Sequence, residues 1–346
     1  MTLVRPHPSV QGVITPLFTP FHEDGRLDTQ GLGNLVRHLV RGGKVSSVFV
    51  RSGLGQMWLY SRDDFGAAVS TVVEAAEGHV SVFVGASGLW DGELAHRPDP
   101  QEYTDQSRDL ARWSVRLGAH ALVLMVPFML APEGPEGAPA QGVPEEVAAE
   151  VTATYLGAVA QETELPLLLY QAPSVPKDFC ITPALLQELL KSQKQLVGMK
   201  LSSRRLEAFE GLLSVAKGTG FGLICGDEHV TMAAYQAGCC GIIGEGSDTY
   251  PALLAAIRER LLAGDEEGAL RAQTAVLRCL EAVSGLDAAI VGKQLLQRQG
   301  VDLQPFGRNR PHPYSAETVT KLQQAQRAAF EYAGVASPYG DGSLGR

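Results

Sequence analysis

Residues 165–203 contain, in order, the runs LPLLLYQAP, TPALLQELLKS and LVGMKLSS. The first and third runs, 165–173 and 196–203, have the length and apolar composition of buried strands. Between them, residues 182–192 carry apolar side chains at helical spacing behind a threonine and a proline, which are typical of a helix start. A strand, a helix and a second strand in this order are typical of parallel strands joined by a crossover helix. The segment therefore predicts an α/β fold.

Eight short apolar runs of this kind occur along the chain, each followed by a longer stretch with helical spacing, such as 28–41, 61–77 and 144–162. Eight parallel strands close into a (β/α)8 TIM barrel. Two further helical stretches, 266–298 and 315–332, follow the eighth run and predict additional C-terminal helices. The predicted strands are residues 12–20, 45–52, 80–87, 120–127, 165–173, 196–203, 221–228 and 239–247.

These elements divide the chain into a barrel at 1–264, a helical extension at 265–335 and a loose tail at 336–346. Residues 61–64, SRDD, predict a capping box with Asp in place of Glu. Segment 131–143 is rich in Gly and Pro and follows the fourth predicted strand, at the end of the barrel where active sites lie. It is interpreted either as a lid or as a disordered insertion.

Composition narrows the classes of function. The chain has 346 residues, 45% hydrophobic and 19% charged, which is typical of a globular protein. A net charge of −9 without a basic run argues against nucleic acid as a partner. No apolar stretch approaches the roughly 18 residues of a membrane span, so we expect a cytoplasmic protein. The five cysteines lack metal-like spacing and are interpreted as reduced packing residues, without a metal.

Lys200 is the strongest catalytic candidate because it interrupts an apolar strand near its end. Alternation along LVGMKLSS places Val197, Met199 and Leu201 on the outer face. Gly198 and Lys200 then share the inner face, where Gly198 leaves room for a ligand. Desolvation lowers the pKa of such a lysine, so that the free amine can attack a ketone. A lysine that reaches solvent or pairs with a carboxylate is equally compatible with this strand alone.

Tyr170 is the second candidate, since it ends the apolar run LPLLLY on the neighbouring predicted strand. A phenol at that depth can pass a proton to and from the oxygen that leaves when a Schiff base forms. The alternative is a core tyrosine whose hydroxyl is satisfied by the protein.

Three turns at predicted strand ends can contact a substrate. Residues 51–56, RSGLGQ, are small enough for backbone N–H groups to approach a carboxylate. Residues 226–229, GDEH, and 244–247, GEGS, can hydrogen-bond a polar substrate tail. Because consecutive residues of an extended strand point to alternate faces, the three polar residues of GDEH do not predict a metal site.

Together these residues resemble the dihydrodipicolinate synthase/N-acetylneuraminate lyase family of Schiff-base aldolases. The resemblance covers residues 12–332. It rests on GVITPLFTPF near the start, YQAP at Tyr170 where the family has Tyr-Asn-x-Pro, VGMK at Lys200 where it has its Schiff-base lysine, and AGCCGIIG at 237–244. It implies a barrel with C-terminal helices, commonly a homotetramer, that forms an imine with pyruvate or a related 2-keto acid.

By this resemblance Lys200 forms the Schiff base and Tyr170 relays protons. The chemistry that follows in the family makes or breaks a carbon–carbon bond or eliminates water, without a cofactor. The predicted substrate-binding residues are Ser52, Gly53, Leu54, Gly226 and Ile243.

The chain departs from the family at three places. The family's Gly-Thr-Thr-Gly-Glu corresponds to SGLGQ at 52–56, or to RSGLG at 51–55, where Ser52 is the one hydroxyl left. The family's Pro-Tyr-Tyr is PFM at 127–129, which removes a relay hydroxyl. No arginine follows YQAP at 174–177, which argues against dihydrodipicolinate synthase activity itself.

The sequence therefore predicts a divergent lyase or aldolase for pyruvate or a related 2-keto acid, including 2-keto-3-deoxy sugar acids. We expect it to be a homo-oligomer, a dimer or a tetramer. The alternative is a catalytically weakened barrel that binds a keto or sugar acid as a sensor or serves structurally.

Overall fold

The computed structural model describes residues 6–90, 97–132, 134 and 142–339. Eight parallel strands form a closed barrel in sequence order, and the eighth pairs with the first. The predicted TIM barrel is thereby confirmed, with strands shorter than the apolar runs that predicted them. The strands are β1 Gly12–Pro16, β2 Ser47–Val50, β3 Ser81–Gly85, β4 Ala121–Met125, β5 Leu167–Gln171, β6 Leu196–Leu201, β7 Gly222–Cys225 and β8 Gly241–Ile242.

Helices surround the barrel and extend it at the C-terminus. The helices that follow the strands are α1 Thr29–Gly42, α2 Arg62–Ala76, α3 Pro100–Arg116, α4 Glu145–Ala160, α5 Pro183–Ser192, α6 Leu206–Ala216, α7 Thr231–Ala237 and α8 Pro251–Leu262. The extension consists of α9 Glu266–Ala282, α10 Ala288–Arg298 and α11 Ala316–Ala333.

Local hydrogen bonds set the ends of two of these helices. The predicted capping box is confirmed, because Ser61 Oγ accepts from the Asp64 N–H and the Asp64 carboxylate accepts from the Ser61 N–H. The predicted stretch 266–298 is two helices rather than one. Gly285 breaks it in the left-handed region at φ +80°, and the Asp287 carboxylate then accepts from the Ile290 N–H to start α10.

The barrel interior is packed at its N-terminal end. Val10, from the segment that precedes β1, lies in the barrel with strand residues such as Ile14, Phe83 and Leu168. A Cβ on Gly222 would lie 2.6 Å from a Val10 methyl carbon, so glycine is needed there. Because this end is filled, the barrel opens into a cavity at the C-terminal ends of the strands.

One predicted orientation in β6 is wrong. Met199 and Leu201 pack outward against the helices, as predicted, but Val197 packs against the barrel interior. The cause is a bulge: Leu167 pairs with Leu196, whereas the next residue of β5 pairs with Gly198. Val197 is the extra residue, and after it the side chains alternate as predicted, so that Lys200 faces the barrel interior.

Two predicted surface segments are described in part. Most of segment 131–143, interpreted as a lid or an insertion, lies outside the described residues. The tail is described as far as Tyr339, whose carbonyl accepts from Arg327. No helix among the described residues is both long and apolar enough to span a bilayer.

Candidate active site

A cavity of about 880 Å³ opens at the C-terminal ends of the strands, where active sites of such barrels lie. All of the residues that the sequence singled out for catalysis or substrate binding line it. They are Lys200, Tyr170, Ser52, Gly53, Leu54, Gly226 and Ile243.

Lys200 and Tyr170 face each other across neighbouring strands. The register of β5 and β6 pairs these two residues directly, and Lys200 Nζ lies 4.3 Å from the centre of the Tyr170 ring. Neither the amine nor the phenol hydroxyl forms a hydrogen bond or ion pair with another residue in the described ranges. The carboxylate partner that would make Lys200 structural is therefore not found there, and the amine is available to a ligand.

Gly226 supplies the space for the lysine side chain. A Cβ at this position would lie 2.8 Å from Lys200 Cε and would also collide with Ser202 Oγ. Gly198 does not have the role predicted for it. A Cβ there would lie 2.8 Å from the Gly222 carbonyl oxygen, so the space beside Gly198 is filled by the neighbouring strand rather than by a ligand.

Residues of the turn after β2 line the cavity. Ser52 Oγ accepts from the Gly55 N–H at 3.0 Å, and the Gln56 N–H donates to the Gly53 carbonyl at 3.0 Å. The N–H groups of Gly53 and Leu54 form no hydrogen bond with the described part of the chain. Two neighbouring donors in a tight turn are suited to an anionic oxygen.

Arg51, the first residue of this turn, places a buried positive charge beside the end of β3. Its side chain is only 1% exposed, and Nη1 donates to the carbonyl oxygens of Gly85 and Ser87, both at 2.7 Å. No carboxylate among the described residues pairs with it. Burial lowers the pKa of the guanidinium to about 10, so it stays charged at neutral pH. Sequence reasoning placed Arg51 only in the turn and missed this buried charge.

The three polar residues after β7 do not lie in the extended strand that the sequence predicted, since β7 ends at Cys225 and a 3-10 helix, Glu228–Val230, follows; this helix rather than strand alternation separates their side chains. Asp227, which lines the cavity, contacts His229 at 2.8 Å. Glu228 points into the protein, where its carboxylate accepts from Tyr250 Oη at 2.7 Å and from the Gly246 N–H at 2.9 Å. Burial raises the pKa of Glu228 to about 7. Within the part of the chain that the structure describes, no three His, Cys, Asp or Glu side chains are arranged to hold a metal ion.

The turn after β8 rests on Glu228 and carries Glu245 into the cavity. A Cβ on Gly244 would overlap the Glu228 carboxylate, so a glycine is needed for this approach. Solvent reaches Glu245 through the cavity, yet the surrounding protein still raises the pKa of its carboxyl. The positive charges of Lys200 and Arg310 act in the opposite direction, which places Glu245 near both cations.

Arg310 and an aromatic surface complete the cavity, and sequence reasoning missed both. Arg310 reaches the cavity from the segment between α10 and α11. Trp58, Trp90 and Phe128 line the opposite part, with the Trp90 and Phe128 rings 5.7 Å apart edge to face. Residues 306–313, FGRNRPHP, have the composition of a polar loop. Nothing in that composition indicates that the loop returns to the barrel mouth.

Comparisons with known proteins agree with this architecture. A 4-hydroxy-tetrahydrodipicolinate synthase of Thermus thermophilus is 28% identical over 274 residues, which cover 79% of this chain and 81% of that protein. An uncharacterized DapA-like lyase of Thermofilum pendens is 25% identical, covering 91% and 96% of the two chains.

Solved structures show the same fold. YagE from E. coli K12, solved in complex with pyruvate, matches with a TM-score of 0.75 at 19% identity, over 94% of this chain and 99% of that one. The N-acetylneuraminate lyase of Mycoplasma synoviae matches with a TM-score of 0.74 at 18% identity, over 94% and 98%. The model of the dihydrodipicolinate synthetase family matches residues 9–329. The chain therefore belongs to the dihydrodipicolinate synthetase family, whose members are lyases of the aldolase type.

Proposed function

We propose that this protein is a lyase that forms a Schiff base between Lys200 and a 2-keto acid. The observation that carries the proposal is the Lys200 amine itself. It lies in a cavity at the catalytic end of the barrel, over the Tyr170 ring, without a hydrogen bond or ion pair to another residue in the described ranges. An amine in this setting is suited to nucleophilic attack on a carbonyl.

In the proposed reaction, the neutral amine of Lys200 attacks the keto carbon and forms a carbinolamine. Tyr170 donates a proton to the carbinolamine oxygen, water leaves, and the imine forms. The imine then accepts the electron pair of the bond that breaks at the adjacent carbon. The N–H groups of Gly53 and Leu54 bind the substrate carboxylate, and the buried charge of Arg51 favours the anion.

In an aldolase that bond is carbon–carbon. In a dehydratase it is the carbon–hydrogen bond of the adjacent carbon, and the enamine that results expels the hydroxyl of the next carbon, which takes up a proton and leaves as water. The substrates that we propose are pyruvate and 2-keto-3-deoxy sugar acids. Phe128 and Met129, which stand where the family resemblance places two tyrosines, one of them in the proton relay, are buried and carry no hydroxyl. This favours a chemistry different from dihydrodipicolinate synthesis. The homo-oligomeric state and the cytoplasmic location stay predictions.

Borohydride trapping tests the proposal. The protein is incubated with pyruvate, or with each of a panel of 2-keto-3-deoxy sugar acids, then reduced and weighed intact by mass spectrometry. We expect a reduced adduct with at least one of these acids, and none in Lys200→Arg. Release of pyruvate from the same acid, or formation of its dehydrated product, demonstrates the lyase. An adduct without turnover favours a keto-acid sensor, and no adduct with any acid rejects the Schiff base.

A further inference from the structure

We propose that Arg310 binds an anionic group at the end of the substrate remote from its keto group, so that the preferred substrate is a 2-keto acid with a second carboxylate. The inference rests on the proposed function, because Lys200 is taken to hold the keto end. It assigns a substrate-binding role to a residue of the C-terminal extension, outside the barrel.

Residues 306–310, here called the mouth segment, are fixed to the barrel at several points. Lys293 Nζ donates to the Phe306 carbonyl. Gln56, in the turn after β2, donates through Nε2 to the Arg308 carbonyl at 2.5 Å. The Arg308 guanidinium binds both carboxylate oxygens of Asp64, at 2.6 and 3.1 Å. The position of the mouth segment is therefore determined by the barrel rather than by the loop alone.

The Arg310 guanidinium is held at one end. Nη1 donates to the Asp287 carboxylate at 2.6 Å, and the same carboxylate accepts from the Ile290 N–H at the start of α10. The Asp287 N–H is bound in turn by Tyr314 Oη at 2.7 Å. No hydrogen bond within the described ranges uses Arg310 Nε or Nη2, and the side chain is 24% exposed. A preorganised guanidinium with unused donors is suited to a carboxylate, which binds it through charge-assisted hydrogen bonds.

Different groups of the cavity would bind the two ends of such a substrate. Glu245 lies near both Lys200 and Arg310. The N–H groups of Gly53 and Leu54 bind the carboxylate next to the keto group. Glu245 can accept hydrogen bonds from hydroxyl groups in the middle of the substrate. The substrate that fits these groups has its keto acid at Lys200, hydroxyl groups in the middle and a second anionic group at Arg310.

Calorimetric binding of D-glucarate and D-gluconate tests this inference without a ketone, and so independently of the Schiff base. The two probes differ in that only glucarate has a second carboxylate. We expect the protein to bind glucarate roughly 10- to 100-fold more tightly, the range for hydrogen bonds to a charged group. Arg310→Ala should reduce this preference to less than about threefold, and Arg310→Lys should retain part of it, because lysine keeps the charge but not the planar fork.

Arg271→Ala is the matched control, since it removes an exposed arginine that pairs with Glu267 far from the cavity. Thermal unfolding of each variant establishes that it is folded. Equal binding of the two probes, no binding at millimolar concentration, or an unchanged preference in Arg310→Ala would each overturn the inference. Pyruvate trapping weakened as strongly as glucarate binding would also overturn it, by placing Arg310 at the keto acid's own carboxylate. Absence of trapping in the unmodified protein with every 2-keto acid of the panel, pyruvate included, would reject the proposed function alone.

Discussion

The cavity has two unlike regions: a wall formed by β5, β6 and β7, and a rim formed by the turns after β2 and β8 and the mouth segment. The wall presents Tyr170, Lys200 and Gly226, the residue types that the family resemblance predicts. The rim presents Leu54, Glu245 and Arg310, for which the resemblance offers no prediction beyond a binding turn. On the proposed function, the wall would form the imine, and the rim would recognise the rest of the substrate.

The two regions are also held by different interactions. Backbone pairing fixes the wall, since Tyr170 and Lys200 are register partners in adjacent parallel strands. Side-chain contacts between distant segments fix the rim, such as Gln56 with Arg308, which are 252 residues apart in sequence. Substitutions in the wall should therefore alter chemistry, whereas those beneath the rim should alter stability and recognition.

The largest effect is expected for Tyr170→Phe, which keeps the ring beside Lys200 and removes the hydroxyl. Loss of a positioned proton donor should slow imine formation by roughly 10²- to 10³-fold. The rate of borohydride trapping with a 2-keto acid measures this. Tyr332→Phe, which alters a tyrosine that is 42% exposed on α11, is the control. An unchanged trapping rate in Tyr170→Phe would remove the phenol from the mechanism.

A smaller effect is expected for Gly226→Ala, because the new methyl group displaces the Lys200 side chain. Trapping should slow by about tenfold, and the free energy of unfolding should fall by about 1–3 kcal/mol, as is usual for overpacking. Gly157→Ala is the matched control, since a Cβ there lies 3.6 Å from Gln193 Nε2, an ordinary contact. A normal trapping rate in Gly226→Ala would contradict our inference that the Lys200 side chain needs the space that Gly226 leaves.

The smallest effect on trapping is expected beneath the rim, at Glu228, where we expect a change in the free energy of unfolding instead. Burial raises the pKa of this carboxyl from 4.5 to about 7, so the fold favours its protonated form. The stability that protonated Glu228 contributes to the fold is complete below about pH 4.5, and it is lost as the pH rises through about 7. The free energy of unfolding, relative to Glu228→Gln, should therefore fall by about 3 kcal/mol between these pH values and stay constant above them.

Chemical denaturation at several pH values measures the Glu228 effect. Glu281→Gln, which removes an exposed carboxylate from α9, controls for the change in net charge. A difference between wild type and Glu228→Gln that stays flat from pH 4 to 8 would show that Glu228 does not titrate with folding in this range.

The sequence was sufficient for the parts of the molecule that periodicity and strand ends encode. Eight apolar runs predicted eight strands, and alternation placed Lys200 in the barrel even though a bulge turned Val197 inward. Periodicity did not predict the break at Gly285, because the flanking helices have compatible patterns. It also did not predict Arg310, whose place depends on contacts that the mouth segment makes with Gln56, Asp64 and Lys293.

Lys293 offers the sharpest contrast with Lys200. It is 1% exposed, and burial lowers the pKa of its amine to about 7. That amine nevertheless donates to the carbonyl oxygens of Thr19 and Phe306, beneath the mouth segment. If a lowered pKa alone selected the nucleophile, Lys293 would be modified. If position in the cavity selects it, the modified residue is Lys200.

The measurement that tests this account most directly is peptide mapping of the protein after borohydride reduction with a trapped 2-keto acid. We predict that the mass of the reduced acid is found on the peptide that contains Lys200, and that the peptide with Lys293 is unmodified. An adduct on Lys293, or no adduct on Lys200 with any 2-keto acid, would contradict the central claim.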